Sequence, residues 1–335
     1  MNSPPPRLHG GSDALGVPRF DFSTNSNACG PCPQALAAVQ QADATRYPDP
    51  RYTVLCAHLA DFHGVEPGRI LVAGSASEYI FRITAWAARR GGTRVCVPPH
   101  AFGDYAQAAR AWGLEVEHDV PDADLVWCCE PSSPLGGAHS PWPDAGTATV
   151  VLDCAYVPLR LSGVSSWSDA QRNRVWQLFS PNKALDLTGV RGAYAIAPEA
   201  AQTDVQALEA LEALAPSWPL GAHGVALLQS WVQPGVQAWL EQSRITLRQW
   251  KARQLERLGL RGWNCLPSET NFFCAQPPLP QDIAMAMPQW LDALRTQHGI
   301  KLRDATSFGL PGWVRLAVRE PAAQDALISS HNLFL

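Results

Sequence analysis

The stretch LFSPNKALDLTGVRGAY, residues 178–194, places Lys183 in a short polar turn between two apolar runs. The first run covers residues 175–179 and the second covers residues 192–197. Both have the length and composition of buried strands, so the sequence predicts two neighbouring strands joined through the lysine turn.

Two further polar side chains flank this lysine: Ser180 lies three residues before it and Arg191 eight residues after it. An amine can form a Schiff base with an aldehyde, while a hydroxyl and a guanidinium can hold an anion on the same ligand. Pyridoxal 5'-phosphate carries both groups and is therefore the candidate cofactor. A single loop lysine is otherwise usually a solvated surface residue. The rest of the chain is therefore needed to choose between a cofactor-binding lysine and a surface lysine.

Composition narrows the class of protein. The chain has 335 residues, 46% of them hydrophobic and 17% charged, with a formal net charge of −4. This length suits two domains, and no basic tract suggests nucleic acid or an anionic membrane as a partner. The sequence shows no signal-peptide core or membrane-length apolar run. Together with nine cysteines, several in predicted strands, these features lead us to expect a cytoplasmic protein with reduced thiols.

Short apolar runs alternate with helical patterns through the first two thirds of the chain. Strands are predicted at residues 70–74, 94–97, 114–117, 124–130 and 147–153. Such strands are typical of a mainly parallel sheet buried on both faces, in which ligands bind beyond the carboxyl ends of the strands. The side chains expected to meet at that edge are Ser75, Ala76, Ser77, Ser133, Asp153 and the Lys183 turn.

The remaining pattern divides the chain into three parts. We expect residues 1–40 to join a small domain, residues 41–235 to form the large domain, and residues 236–335 to form a small α+β domain. A long helical pattern at residues 236–258 would connect the two domains.

Two other motifs carry chemistry. If a pyridine ring binds here, Asp153 can keep its nitrogen protonated and the Tyr156 phenol can bond its phenolic oxygen; an aspartate that caps a loop is the simpler alternative. Cys29 and Cys32 have the spacing of a thioredoxin-type redox pair. No strand precedes them and no second cysteine pair completes a metal site, so a turn before a helix is the preferred interpretation.

Over nearly its whole length the chain resembles the fold-type I, class I/II aminotransferase superfamily. The resemblance implies an α/β, PLP-dependent transferase fold: a large domain with a mainly parallel, seven-stranded type of sheet flanked by helices, and a small α+β domain. The matching motifs are S-x-x-K…G-x-R (Ser180, Lys183, Gly189, Arg191) and D-x-A-Y (Asp153, Ala155, Tyr156).

The resemblance also implies roles for individual residues. Lys183 would bind the cofactor aldehyde and act as general base, Asp153 would face the ring nitrogen, and Phe102 would stack on the ring. Tyr47 would reach the cofactor phosphate of a neighbouring subunit, which implies a homodimer. The groups that would hold the phosphate within the subunit are Ser75, Ala76, Ser77, Ser180 and Arg191.

Within the superfamily, the chain resembles threonine-phosphate decarboxylases and histidinol-phosphate aminotransferases. The segments HGGS and FDFSTNSN resemble the decarboxylase opening and place His9 and Asn27 among the expected substrate contacts. Arg315 would pair with a substrate α-carboxylate and Arg303 with a substrate phosphate.

One position departs from the family pattern. The family loop N-P-x-x-P-x-G carries an asparagine before its second proline, and that asparagine contacts the phenolic oxygen of the ring. Here Ser133 occupies that place, and its shorter hydroxyl is expected to reach the ring only through water.

The N-terminal resemblance favours decarboxylation of O-phospho-L-threonine to aminopropanol phosphate in cobalamin biosynthesis. The alternative is transamination of histidinol phosphate or a similar amino acid, and a third is a non-catalytic protein that keeps the fold. The substrate bond that lies perpendicular to the ring decides between the reactions, and residue identity does not fix that angle.

Overall fold

The computed structural model describes residues 9–119, 122–139, 143, 146–202, 205–278 and 283–331. Its strands are, in chain order, β1 (Phe20–Asp21), β2 (Ile70–Ala73), β3 (Arg94–Cys96), β4 (Glu115–Glu117), β5 (Leu125–Cys129), β6 (Thr149–Asp153), β7 (Trp176–Phe179), β8 (Ala193–Ile196), β9 (Asn264–Cys265), β10 (Phe272–Gln276), β11 (Ile300–Lys301), β12 (Arg303–Asp304) and β13 (Val314–Ala317). Its α-helices are α1 (Pro33–Gln40), α2 (Thr53–His63), α3 (Ala76–Arg89), α4 (Gly103–Ala111), α5 (Asp169–Arg172), α6 (Val205–Glu212), α7 (Ala222–Trp231), α8 (Pro234–Gly259), α9 (Ile283–His298) and α10 (Pro321–His331).

Within the described ranges, seven strands form the large sheet in the order β2-β8-β7-β6-β5-β3-β4. Strand β8 runs antiparallel to both of its neighbours, and the other pairs are parallel. The predicted mainly parallel sheet is confirmed. The two strands predicted on either side of the lysine turn are neighbours, with Leu178 opposite Ala195.

Burial on both faces explains why these strands have no polar alternation. In β5, Leu125 and Trp127 enter the core layer beneath α3 and α4, while Val126 and Cys128 enter the layer on the opposite face. Successive side chains of a strand point to opposite faces. Because helices cover both, each residue of β5 is apolar and buried.

The C-terminal part contains a smaller antiparallel sheet in the order β12-β13-β10-β9. The sequence predicts one strand over residues 300–303, but the structure divides it in two. Ile300 pairs in parallel with Phe20 of β1, whereas Arg303 pairs with Arg315 of β13. The chain changes partner at Leu302 because one continuous strand cannot follow both neighbours.

The 26-residue helix α8 links the large sheet to this smaller sheet, and it is roughly 39 Å long at 1.5 Å per residue. Leu240, Leu247 and Leu258 are buried along it. Among the described helices, none combines the length and the apolar character needed to cross a membrane. The parallel strands β2, β5, β6 and β7 end at one edge of the large sheet, facing the small antiparallel sheet.

Candidate active site

A cavity of about 1630 Å³ lies between that sheet edge and the small antiparallel sheet. Its walls come from loops that are far apart in the sequence, as the strand order predicts. The predicted site residues that line it are His9, Ser75, Ala76, Ser77, Phe102, Ser133, Asp153, Tyr156, Ser180, Lys183, Arg191, Arg303 and Arg315. Two other predicted residues, Asn27 and Tyr47, lie outside it.

Asp153 is the last residue of β6 and is buried in the cavity wall. The Tyr105 hydroxyl donates to its Oδ2 at 2.6 Å, and the Ala155 N–H donates to its Oδ1 at 2.9 Å. Burial raises the pKa of Asp153, and the bond from Tyr105 opposes that rise. Both hydrogen bonds come from neutral groups, so a ligand cation next to the carboxylate would stabilise its charge.

Lys183 lies in the turn that follows β7. Its backbone carbonyl accepts hydrogen bonds from Asp186 N–H at 3.2 Å and Asn27 N–H at 2.9 Å. Its Nζ is 5.1 Å from the centre of the Tyr156 ring. The turn therefore fixes the lysine backbone, while the amine projects beside Tyr156 in the cavity.

The groups proposed for a phosphate lie at the start of α3 and just before β8. Ser75 caps α3, and its Oγ accepts from Glu78 N–H at 3.0 Å. The N–H groups of Ala76 and Ser77, in the first turn, have no intrahelical acceptor and favour an anion. Arg191 is exposed and lines the same cavity. A helix N-terminus and a guanidinium thus face one space.

Two guanidinium groups occupy the other side of the cavity. Arg303 and Arg315 are opposite each other across β12 and β13, and both are buried. Burial, together with the charge of Arg315, lowers the pKa of Arg303 to about 10, and burial also lowers the pKa of Arg315. Adjacent buried cations repel each other, so an anionic ligand would stabilise both.

Arg315 is held by neutral groups. Its NH1 donates to Ser133 Oγ and its NH2 to the backbone oxygen of Ser23, each at 3.2 Å. Its Nε is buried and has no hydrogen-bond partner among the described residues. Arg303 donates to the Asp304 backbone oxygen and to Ser307 Oγ, both at 2.8 Å. Ser133 therefore touches the arginine expected to bind substrate.

The structure gives Asn27 a different place from the predicted one. It is fully buried and does not line the cavity. Its Nδ2 donates to the Ala184 backbone oxygen at 3.1 Å, and its Oδ1 accepts from Cys29 N–H at 3.1 Å. With its amide engaged in this way, Asn27 braces the lysine turn and is not available to a substrate.

Tyr47 is 77% exposed and stacks on Trp218 with 4.4 Å between ring centres. Its predicted contact with a neighbouring subunit stays a prediction. Cys29 and Cys32 are free thiols, and burial raises the pKa of Cys29. A raised thiol pKa reduces the thiolate population and does not favour redox reactivity.

The sequence did not single out two residues that the structure places in the site. Tyr105 bonds Asp153 and stacks on Trp127 at 4.4 Å. Asn25 lines the cavity and donates from Nδ2 to the Tyr156 hydroxyl at 3.3 Å. The F-x-x-Y spacing from Phe102 to Tyr105 was visible in the sequence. Nothing in DFSTNSN separates Asn25 from Asn27 before the backbone is known.

These residues fit pyridoxal 5'-phosphate. A buried carboxylate with neutral donors suits a protonated ring nitrogen, and Lys183 offers an amine to an aldehyde. The α3 N-terminus and Arg191 suit the phosphate, and Phe102 lines the cavity near Tyr105, with 5.9 Å between ring centres. The cavity has room for a substrate in addition to the cofactor.

The sequence matches the family model described as aminotransferase class I and II over residues 18–139 and 148–330. The chain is 26% identical to the histidinol-phosphate aminotransferase of Jannaschia sp. (strain CCS1), with 92% of this chain and 89% of that protein aligned. It is also 26% identical to the histidinol-phosphate aminotransferase of Rhodopseudomonas palustris (strain BisA53), over 94% of this chain and 91% of that protein.

Two crystal structures share the fold. The histidinol-phosphate aminotransferase from Clostridium acetobutylicum superposes with a TM-score of 0.79 at 17% identity, covering 93% of this chain and 98% of that one. The L-threonine-O-3-phosphate decarboxylase from Porphyromonas gingivalis superposes with a TM-score of 0.77 at 22% identity, again over 93% and 98%.

Proposed function

The chain belongs to the aminotransferase class I and II family, whose enzymes use pyridoxal 5'-phosphate, and from this premise we propose that it transaminates a phosphorylated amine of the histidinol phosphate type. The observation that carries the proposal is the pair of buried guanidiniums, Arg303 and Arg315, in one wall of the cavity. Planar guanidinium groups bind phosphate and carboxylate through paired hydrogen bonds.

The sequence alone favoured decarboxylation of O-phospho-L-threonine. The curated relatives described above are histidinol-phosphate aminotransferases aligned over about nine tenths of this chain, and they support transamination better. An aminotransferase also has to accept the amino donor and the keto acid in turn. Two adjacent arginines suit that task because each can hold a carboxylate or a phosphate.

When bound, pyridoxal 5'-phosphate supplies an aldehyde for the substrate amine and a ring that withdraws electrons from the substrate carbon. Asp153 would hold the proton at the ring nitrogen, and the hydrogen bond from Tyr105 orients that carboxylate and favours its charged form. Lys183 Nζ would remove the proton from the substrate carbon as general base and later donate it as general acid. Tyr156 and Asn25 form the side of the site next to Lys183.

Anion binding fixes the two ends of the bound molecules. Ser75, Ala76, Ser77, Ser180 and Arg191 line the same cavity and would hold the cofactor phosphate. On the opposite side, Arg315 takes a carboxylate when an amino acid or keto acid is bound, and Arg303 takes the phosphate of the phosphorylated amine.

Decarboxylation of O-phospho-L-threonine is the second candidate. It is favoured by the N-terminal segment, because His9 and Gly10 line the same cavity as Arg303 and Arg315. That substrate carries a carboxylate and a phosphate, and one arginine could hold each. Loss of carbon dioxide would require the carboxylate to be held out of the ring plane.

Product analysis separates the candidates. The holoenzyme is incubated with histidinol phosphate or O-phospho-L-threonine, each with and without 2-oxoglutarate. Glutamate formed from histidinol phosphate only when the keto acid is present supports the proposal. Carbon dioxide and aminopropanol phosphate released without the keto acid would replace it with the second candidate. Bound cofactor without reaction of either substrate would contradict both and favour a non-catalytic role.

A homodimer is part of the proposal. Tyr47 and Trp218 are 77% and 41% exposed and form a stacked aromatic pair outside the cavity of their own chain. If Tyr47 reaches the partner's cofactor phosphate, Tyr47→Phe should weaken cofactor binding without loss of the dimer. Sedimentation analysis and cofactor titration check this expectation, and a monomeric holoenzyme with full activity would contradict it.

A further inference from the structure

The N-terminal residues 9–16, called the strap, form part of the cavity wall and are bound to α9 and β11. His9 and Gly10, at its beginning, line the cavity. At its end, Asp13 and Gly16 close a tight turn through two backbone hydrogen bonds of 3.2 and 2.9 Å. The strap therefore connects the cavity to a cluster of charges outside it.

That cluster is centred on one carboxylate. Arg295 binds Asp13 through two bonds, from Nε to Oδ2 at 2.9 Å and from NH2 to Oδ1 at 2.8 Å. Lys301 Nζ lies 3.0 Å from Asp13 Oδ2. Hydrogen bonds from Arg295, and then from Lys301, hold the pKa of Asp13 well below its usual range. The carboxylate is thus charged throughout the working pH range and is shared by cations from two elements.

The same cations also hold the strap backbone. Arg295 NH2 donates to the Gly16 oxygen at 2.9 Å, and Lys301 Nζ donates to the Gly11 oxygen at 2.6 Å. A solitary surface ion pair contributes little in most proteins. Here the ion pairs and the backbone bonds share their donors, and both fix the position of the strap.

The other side of the strap packs against Ser23, whose backbone oxygen binds Arg315. Gly11 N–H donates to Ser23 Oγ at 2.9 Å. A Cβ on Gly10 would lie only 2.2 Å from the Ser23 backbone oxygen, so a side chain at this position would push the strap away. That same oxygen accepts the hydrogen bond from Arg315 NH2. The strap thus covers the peptide that orients Arg315.

We propose that Asp13 is a positioning residue: by binding Arg295 and Lys301 it fixes the strap, so that His9 and the Gly10 peptide complete the wall around the anionic end of the substrate. The inference rests on the proposed function, in which that substrate is a phosphorylated amine. Asp13 acts through the strap and is remote in sequence and contacts from Lys183 and Asp153. Its loss should therefore weaken substrate binding and leave the chemical step unchanged.

Asp13→Asn tests the inference, with Asp325→Asn as the matched control. Arg253 NH2 contacts the two Asp325 oxygens at 2.8 and 3.0 Å, and neither residue lines the cavity. In Asp13→Asn the strap is docked for a smaller fraction of the time, and apparent affinity falls in proportion to the docked fraction. We expect Kd for histidinol phosphate to rise about five- to tenfold, with kcat within about twofold and the cofactor absorption spectrum unchanged. Asp325→Asn should bind substrate like the wild type.

Two readouts do not depend on turnover. Amide hydrogen exchange at Gly11 and Gly16 should be faster in Asp13→Asn and unchanged in Asp325→Asn, because only the first variant releases the strap. Raising the salt concentration should increase Kd more in the wild type than in Asp13→Asn, since only the wild type has the charge cluster to screen. Arg295→Met should reproduce both effects from the other side of the pair.

The outcomes are distinct. Faster exchange at Gly11 with an unchanged Kd would overturn the role of the strap in substrate binding, and unchanged exchange would overturn the role of Asp13. If Kd changes as expected but no keto acid supports turnover, the proposed transamination fails and the positioning role stands. If the wild type binds neither histidinol phosphate nor O-phospho-L-threonine, both proposals fail.

Discussion

His63 should make the stability of this protein fall steeply in mild acid. Its Nε2 is 2.7 Å from the hydroxyl oxygen of Tyr194. The same oxygen accepts a hydrogen bond from Trp231 Nε1–H at 3.2 Å. The indole can only donate, so the buried Tyr194 hydroxyl is left to donate its proton to an unprotonated His63 Nε2. Burial, with a smaller contribution from Arg172, lowers the pKa of His63 to about 4.

The sign and size of the effect follow from proton linkage. An unfolded histidine has a pKa of about 6.5, so between pH 6.5 and 4 the unfolded chain binds more protons than the folded one. Stability is therefore unaffected by this group above pH 6.5 and is lost as the pH falls toward 4. With these two pKa values, His63 should lower the free energy of unfolding by roughly 2 kcal/mol between pH 7 and pH 5.

Urea unfolding of the cofactor-saturated protein at pH 7, 6 and 5 measures this loss. His63→Gln should be less stable than the wild type at pH 7, because the ring contact with Phe179 at 4.7 Å is lost. Its stability should nevertheless fall by roughly 2 kcal/mol less on going to pH 5. His58→Gln, an exposed change on the same helix, should follow the wild type. Equal pH dependence in His63→Gln and the wild type would refute the reasoning.

Four further substitutions test the site and the fold. Lys183→Ala should abolish the covalent, borohydride-reducible attachment of the cofactor, and mass spectrometry that still finds it would reject Lys183. Arg303→Met should lower kcat/KM at least about tenfold for phosphorylated substrates, and an equal loss for unphosphorylated analogues would contradict its phosphate role. Tyr105→Phe removes a donor that lowers the pKa of Asp153, so the acid limb of the pH–kcat/KM profile should move to higher pH. Gly136 has a φ of +75°, and the Cβ added by Gly136→Ala would lie 2.1 Å from Ser268 Oγ. This substitution should lower the free energy of unfolding in urea by about 1–3 kcal/mol.

The sequence was sufficient for the large sheet and for the motifs at its edge. All-apolar runs such as β5 specify strands buried on both faces, because no polar residue interrupts them. Once those strands are parallel, residues that follow their ends must meet. Asp153, Lys183 and Ser133 were therefore predictable as neighbours, although they come from three separate segments of the chain.

Other features depend on contacts that no local pattern encodes. Asn25 and Asn27 are chemically identical and two residues apart, yet only the first faces the cavity, since the backbone direction decides. The break at Leu302 arises because two different strands compete for adjacent residues. The ion pair of Asp13 with Arg295 joins positions nearly 300 residues apart, and many surface arginines could have provided it.

The parallel pairing of β1 with β11 has a consequence for biosynthesis. Phe20 leaves the ribosome about 280 residues before Ile300, its partner. At roughly 5–20 residues per second, that interval lasts on the order of 15–60 s. During this time the large sheet can form, while β1 has no partner strand to pair with. Strand β1 is thus among the last elements to fold, and nascent chains stalled before Ile300 should leave it open to proteases and chaperones.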